Sequence, residues 1–173
     1  MGHQQLKALN LINLGELHVH GGEYGAALAD CEAGVGLMRQ VGDQRLLAYG
    51  LQWLGLAHHG LQDEVLARRY VGEALETALV TRSPPAILGV MAGAAILLRD
   101  AGARDAAVDA LRNVVRHPAT EQGRRAHARG VLDGMGVGSD AGKEAVPDEA
   151  ALEGIVADLL AALSIQAAGG TES

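Results

Sequence analysis

Between Glu149 and Leu163 the apolar residues Leu152, Ile155, Val156, Leu159, Leu160 and Leu163 fall at i, i+3, i+4, i+7, i+8 and i+11. That spacing keeps one face of an α-helix apolar. Elsewhere valine and isoleucine stand singly rather than in alternation, which gives strands little support. Breakers mark out the remaining helices. A first helix runs from about Gln4 to His20 and is stopped by Gly21-Gly22, glycine being the residue that enters a left-handed turn without a Cβ penalty. A second spans Glu23 to about Val41, followed by Gly42 and by Asp43, a capping residue for the next start. "LQD" precedes Glu64, and "RSPP" offers Ser83 as cap with Pro84 in the first turn. "HPATEQ" repeats the proline signal at Pro118 and opens a helix to about Gly134. The pattern predicts an all-α fold.

The predicted helices come in pairs. Laying "NLGELHVHGGEYGAALADCEAG" (13–34) over "WLGLAHHGLQDEVLARRYVGEA" (53–74) and "GAAILLRDAGARDAAVDALRNV" (93–114) gives an ungapped offset of 40 residues. Gly15, Gly55 and Ala95 then share a column, as do Ala27, Ala67 and Ala107. Cys31, Val71 and Leu111 coincide, as do Gly34, Ala74 and Val114, while Gly22 matches Gly102 with Gln62 between them. Small residues at fixed points let two helix backbones approach closely. The units read as about 4–43, 44–83 and 84–117, with a partial unit over 118–134. A Gly-rich linker follows over 135–147, then the amphipathic helix over 148–166 and a tail, 167–173, expected to be disordered. Stacked repeats need their last apolar face covered, so the final helix either caps its own chain or joins two chains as a homodimer.

Composition sharpens this reading in two ways. Among 173 residues there is no Phe, one Trp and three Tyr, against 24 glycines. A core so short of aromatics must be built from Ala, Leu and Val with backbones close together. Fourteen basic and twenty-one acidic residues give a net charge of −7, and no concentrated basic face marks a nucleic-acid binder. The apolar run from Ala86 to Leu98 is short for a membrane span and is closed by Arg99 and Asp100. The chain's start lacks a signal peptide's pattern, and a single cysteine suits a reducing cytoplasm.

With Gly22, Tyr24 and Ala27 matching the "G-x-Y-x-x-A" of its second helix, and Gly15 and Gly55 the small residue of its first, the region from about 4 to 134 resembles a tetratricopeptide-repeat array. A 40-residue period is longer than the usual 34 of that family and overlaps the range of HEAT repeats, which remain the alternative fold. Longer units of this kind are similar to repeats at the C-terminal end of bacterial signal-transduction ATPases and of LuxR-family transcriptional regulators. The resemblance implies an α-α superhelix and a sensor or scaffold role. It also implies a concave groove lined by the first helices of successive units. That places Ile12, Glu16, Val19 and His20 of unit one along the groove, with Tyr49, Gln52, Leu56 and His59 of unit two and Ala92, Ile96 and Arg99 of unit three. Such a surface is mixed and fairly apolar, suited to a protein or peptide segment, with a small organic effector as the alternative.

Reactive constellations are sparse. His18 and His20 lie about 200° apart around a helix, which keeps them from sharing a metal while the helix is intact. His58 and His59 face the same difficulty. In the 40-residue register His18 falls on His58 and Leu98, a packing column. "GMGVGSDAGKE" misses the phosphate-binding loop, with Val137 where glycine is needed and Glu144 in place of a hydroxyl. Cys31 falls in a core column. The sequence therefore predicts no catalytic set, no metal and no cofactor.

Overall fold

The computed structural model describes residues 2–138 and 145–168. Among them eight α-helices and no strands are present: α1 (Gly2–Gly21), α2 (Tyr24–Val41), α3 (Gln44–Gly60), α4 (Glu64–Val80), α5 (Pro84–Asp100), α6 (Arg104–Arg116), α7 (Gln122–Gly134) and α8 (Glu149–Ala168). The all-α class read from the sequence holds. The chain divides into two compact units, Met1–Thr81 with α1 to α4 and Arg82–Ser173 with α5 to α8.

In the first unit α1 packs on α2, α2 on α3 and α3 on α4, and α1 also reaches α3. Small residues set the closeness of these crossings. A Cβ at Gly15 would run into the Cys31 sulfur, and one at Gly55 would lie 2.6 Å from Val71 Cγ2 and 3.0 Å from the Ala67 carbonyl oxygen. Glycine is the residue that leaves room there. Gly34 and Gly50 admit Ile12 in the same way, since an added Cβ would stand 2.8 Å and 3.2 Å from its Cγ1. Tyr24 lies across Gly60, where any side chain would overlap its ring. The core that results is aliphatic, with Ile12, Met38, Leu51, Leu54 and Leu75 fully buried.

The turns between paired helices share one hydrogen-bond scheme. Gly22 (φ 75°), Gln62 (φ 64°) and Gly102 (φ 83°) are left-handed. At each, the next N–H reaches back five residues: Glu23 to the His18 carbonyl (2.8 Å), Asp63 to His58 (3.0 Å) and Ala103 to Leu98 (2.8 Å). This is the Schellman closure, which satisfies carbonyls the helix end leaves unpaired. A fourth copy ends α7, with Gly136 (φ 68°) left-handed and Val137 N–H bonded to the Leu132 carbonyl. Helix starts are capped as the sequence suggests at Asp43, whose side chain accepts from Leu46 N–H at 3.1 Å. Asp63 does the same from Leu66 N–H at 3.2 Å. Ser83 makes no side-chain cap bond, and Pro84 occupies the first turn of α5.

In the second unit α6 packs between α5 and α7, α5 also touches α7, and α8 returns to lie on α5 and α6. Nearly every side chain of α5 from Ala86 to Leu98 is buried, Ile96 excepted. Of the six apolar residues expected on one face of α8, Leu152, Val156, Leu159 and Leu163 are buried, while Ile155 and Leu160 are half-buried. One expectation fails locally. Pro118 does not open α7, which starts at Gln122. His117 before the proline is extended (φ −71°, ψ 129°), as a following proline favours, and a turn closed by Thr120 N–H on the His117 carbonyl intervenes. The expected linker over 135–147 lies partly outside the described residues. Of the expected tail, 167–168 belong to α8 and the remainder lies outside them.

Candidate binding surface

The short side chains that bring α1, α2 and α3 together also decide which of the anticipated surface residues reach solvent. Ile12 is the clear correction. It is fully buried, filling the space above Gly34 and Gly50, and so holds helices together instead of facing a groove. Gln52, Leu56 and Ala92 are buried as well, at 5%, 4% and 6% exposure. Glu16, Val19, Tyr49, His59, Ile96 and Arg99 are half-buried, and His20 is exposed.

Two of these come together with Trp53 in the first unit. His20 sits 3.9 Å from Glu16 one turn below it on α1 and meets Trp53 of α3 edge to face, ring centroids 5.2 Å apart. Trp53, not anticipated from the sequence, is the only tryptophan and is 7% exposed. Its Nε1 and the neighbouring Gln52 Oε1 are buried and find no hydrogen-bond partner among the described residues. Such groups carry a cost of about 1–3 kcal/mol each while unpaired. The alignment hid Trp53 because its column holds Asn13 and Gly93, yet the one tryptophan of an aromatic-poor chain was itself a signal.

The histidines at the pair turns are held by carboxylates. His18 Nδ1 is 3.0 Å from Asp30, with Glu23 at 3.7 Å from Nε2. His58 lies 3.6 Å from Asp63 and stacks on Tyr70, and His59 Nδ1 meets Glu64 at 2.7 Å. Among the described residues no group of three or more histidines, cysteines and carboxylates is arranged to hold a metal ion. Burial, with Asp30 and Glu16 nearby, pushes the Cys31 thiol up to about 12. A thiol so held is not a nucleophile near neutral pH.

In the second unit Arg99 is clamped by Asp100 through bonds of 2.6 and 2.9 Å. That hydrogen bond raises its already high pKa. Arg99 lines an open cavity of about 480 Å³ together with His127, Gly130, Val131, Gly134 and Met135 of the α7 end. No helix among the described residues is long and apolar enough to cross a membrane. No family model, no curated protein and no solved structure matches this chain.

Proposed function

We infer that the chain is a tetratricopeptide-like array serving as a non-catalytic protein-interaction scaffold, of the kind carried by bacterial transcriptional and signalling regulators. The observation that carries this reading is the recurrence of one turn. Left-handed residues at 22, 62 and 102 are each closed by the same five-residue hydrogen bond, and the second helices they introduce begin at Tyr24, Glu64 and Arg104. This recurrence supports reading the 40-residue spacing of the sequence as a structural repeat. The close crossings at Gly15 and Gly55 repeat it in packing. Arrays of such pairs present their first helices along one surface, where they take up extended or helical segments of other proteins.

The accessible first-helix residues of the first unit then act as the contact set. Tyr49 and Val19 supply apolar area, Glu16 sets polarity, and the exposed His20, backed by the buried Trp53, supplies a flat ring. The test begins with panning a displayed peptide library against the full chain, with selected peptides measured by fluorescence polarisation. Replacing Val19 and Tyr49 together by alanine weakens a selected peptide by about tenfold or more, as loss of two contact side chains does, without changing the circular-dichroism spectrum. Undiminished binding to the folded double variant defeats the reading.

The cavity beside Arg99 favours a second reading, a small-molecule effector sensor, because its volume falls in the range of ligand sites. Thermal stabilisation by a small organic acid, lost in Arg99→Gln, would replace the first reading with this one.

A further inference from the structure

The seat of α8 combines an apolar face with a polar anchor. Leu152, Val156, Leu159 and Leu163, one stripe of the helix, are buried where α8 lies on α5 and α6, while Glu149, Glu153, Ala157 and Asp158 are exposed. The anchor is His117, just past the end of α6 and 7% exposed. Its Nδ1 accepts from Ala119 N–H at 3.1 Å. The ring also hydrogen-bonds the backbone of Pro147, two residues before α8 begins. With Nδ1 accepting, the donor to the Pro147 carbonyl is Nε2–H. The ring is thereby fixed as the neutral tautomer that joins the 117–120 turn to the start of α8. We propose that the α5–α6 face is a helix-binding site which α8 occupies as a removable plug, latched by the His117 ring, and that acid opens it to the α8 of a second copy of the chain.

The occupant is argued from what the structure shows seated there. An identical α8 from another chain carries the same stripe at i, i+4, i+7 and i+11, and so makes the same contacts. The gate follows from proton positions. A second proton on His117 can only go to Nδ1, where it faces the Ala119 N–H, turning an acceptor into a donor opposite a donor. Burial lowers the His117 pKa, partly offset by the Pro147 bond, so the closed latch favours the neutral ring. The charged neighbours do not reverse this. Arg125 of α7 bonds the carbonyls of Val115, His117 and Thr120, and Arg124 that of Pro85. Arg116 turns to Asn113, and Asp148 caps Ala151 N–H. From Pro84 to Leu98 α5 brings no titratable side chain. Protonation below about 6.5, the ring's ordinary value, therefore favours the open state. A competing helix then binds more tightly in proportion to the open fraction.

The inference does not depend on the repeat reading and has its own test. A fluorescent peptide covering residues 145–168 is titrated into the full chain at pH 7.5 and pH 5.5. The affinity is expected to rise severalfold on acidification. His117→Gln keeps one acceptor and one donor but cannot titrate, so the acid response disappears. His117→Ala removes the latch and binds the peptide tightly already at pH 7.5. A peptide carrying Val156→Asp and Leu159→Asp does not bind. Failure of the native peptide to bind folded His117→Ala at either pH overturns the helix-binding site, and an acid response that persists in His117→Gln overturns the gate.

Discussion

The α3–α4 hairpin of the first unit and the α5–α6 hairpin of the second follow the same backbone scheme with different residues. At the crossing, α3 has Gly55 where α5 has Ala95, and both are buried. At the turn, Gln62 takes a left-handed conformation that in the other hairpin belongs to Gly102. At the start of the second helix, Asp63 caps Leu66 N–H, whereas Ala103 makes no side-chain cap bond. Each hairpin is locally well made where the other is not. A strained turn accompanies a good cap in the first, and a relaxed turn accompanies a missing cap in the second. The scheme of hydrogen bonds, which any residue's backbone can make, fixes the turn, and individual side chains adjust its cost by about 1 kcal/mol.

The largest effect is expected at the crossing. Gly55→Ala gains up to about 1 kcal/mol of helix propensity. It also forces a methyl against Val71 and the backbone of Ala67, which is unable to retreat as a side-chain tip can. Overpacking of this kind costs about 1–3 kcal/mol, so urea unfolding followed by circular dichroism should show net destabilisation. A neutral or stabilising outcome means the two hairpins do not differ in closeness as their crossing residues imply. Next in size come the turns. Gly102→Ala should cost about 1–2 kcal/mol by placing a Cβ in the left-handed region. Gln62→Gly should stabilise by a smaller amount. Opposite signs in paired thermal melts sharpen the comparison, and equal signs break it. The smallest effect is at the caps. Ala103→Asp, copying Asp63, should add about 0.5–1 kcal/mol, and Asp63→Ala should remove a similar amount, both readable in the same denaturation curves.

Much of this architecture was legible along the chain because its cues are local. The breaks at Gly22, Gly42 and Gly102 act through φ values and hydrogen bonds that span five residues or fewer. The caps Asp43 and Asp63 bond N–H groups three residues on. The stripe of α8 is likewise written in one helix. Side-chain surface was harder to read. The family resemblance placed Ile12 beside Glu16 along a groove, yet Gly34 and Gly50, distant in sequence, provide the space that takes it into the core. Trp53 and His20 meet only because α1 lies against α3.

The sequence by itself determined that the chain is helical, where its helix pairs turn, and which side of α8 is apolar. Those properties follow from backbone chemistry and periodicity within a few residues of each position. Tertiary structure alone decided that α8 lies on α5 and α6 and that His117 reaches across to Pro147. Both depend on contacts between segments far apart in the chain, where the same apolar stripe fits more than one face and only the assembled packing selects among them.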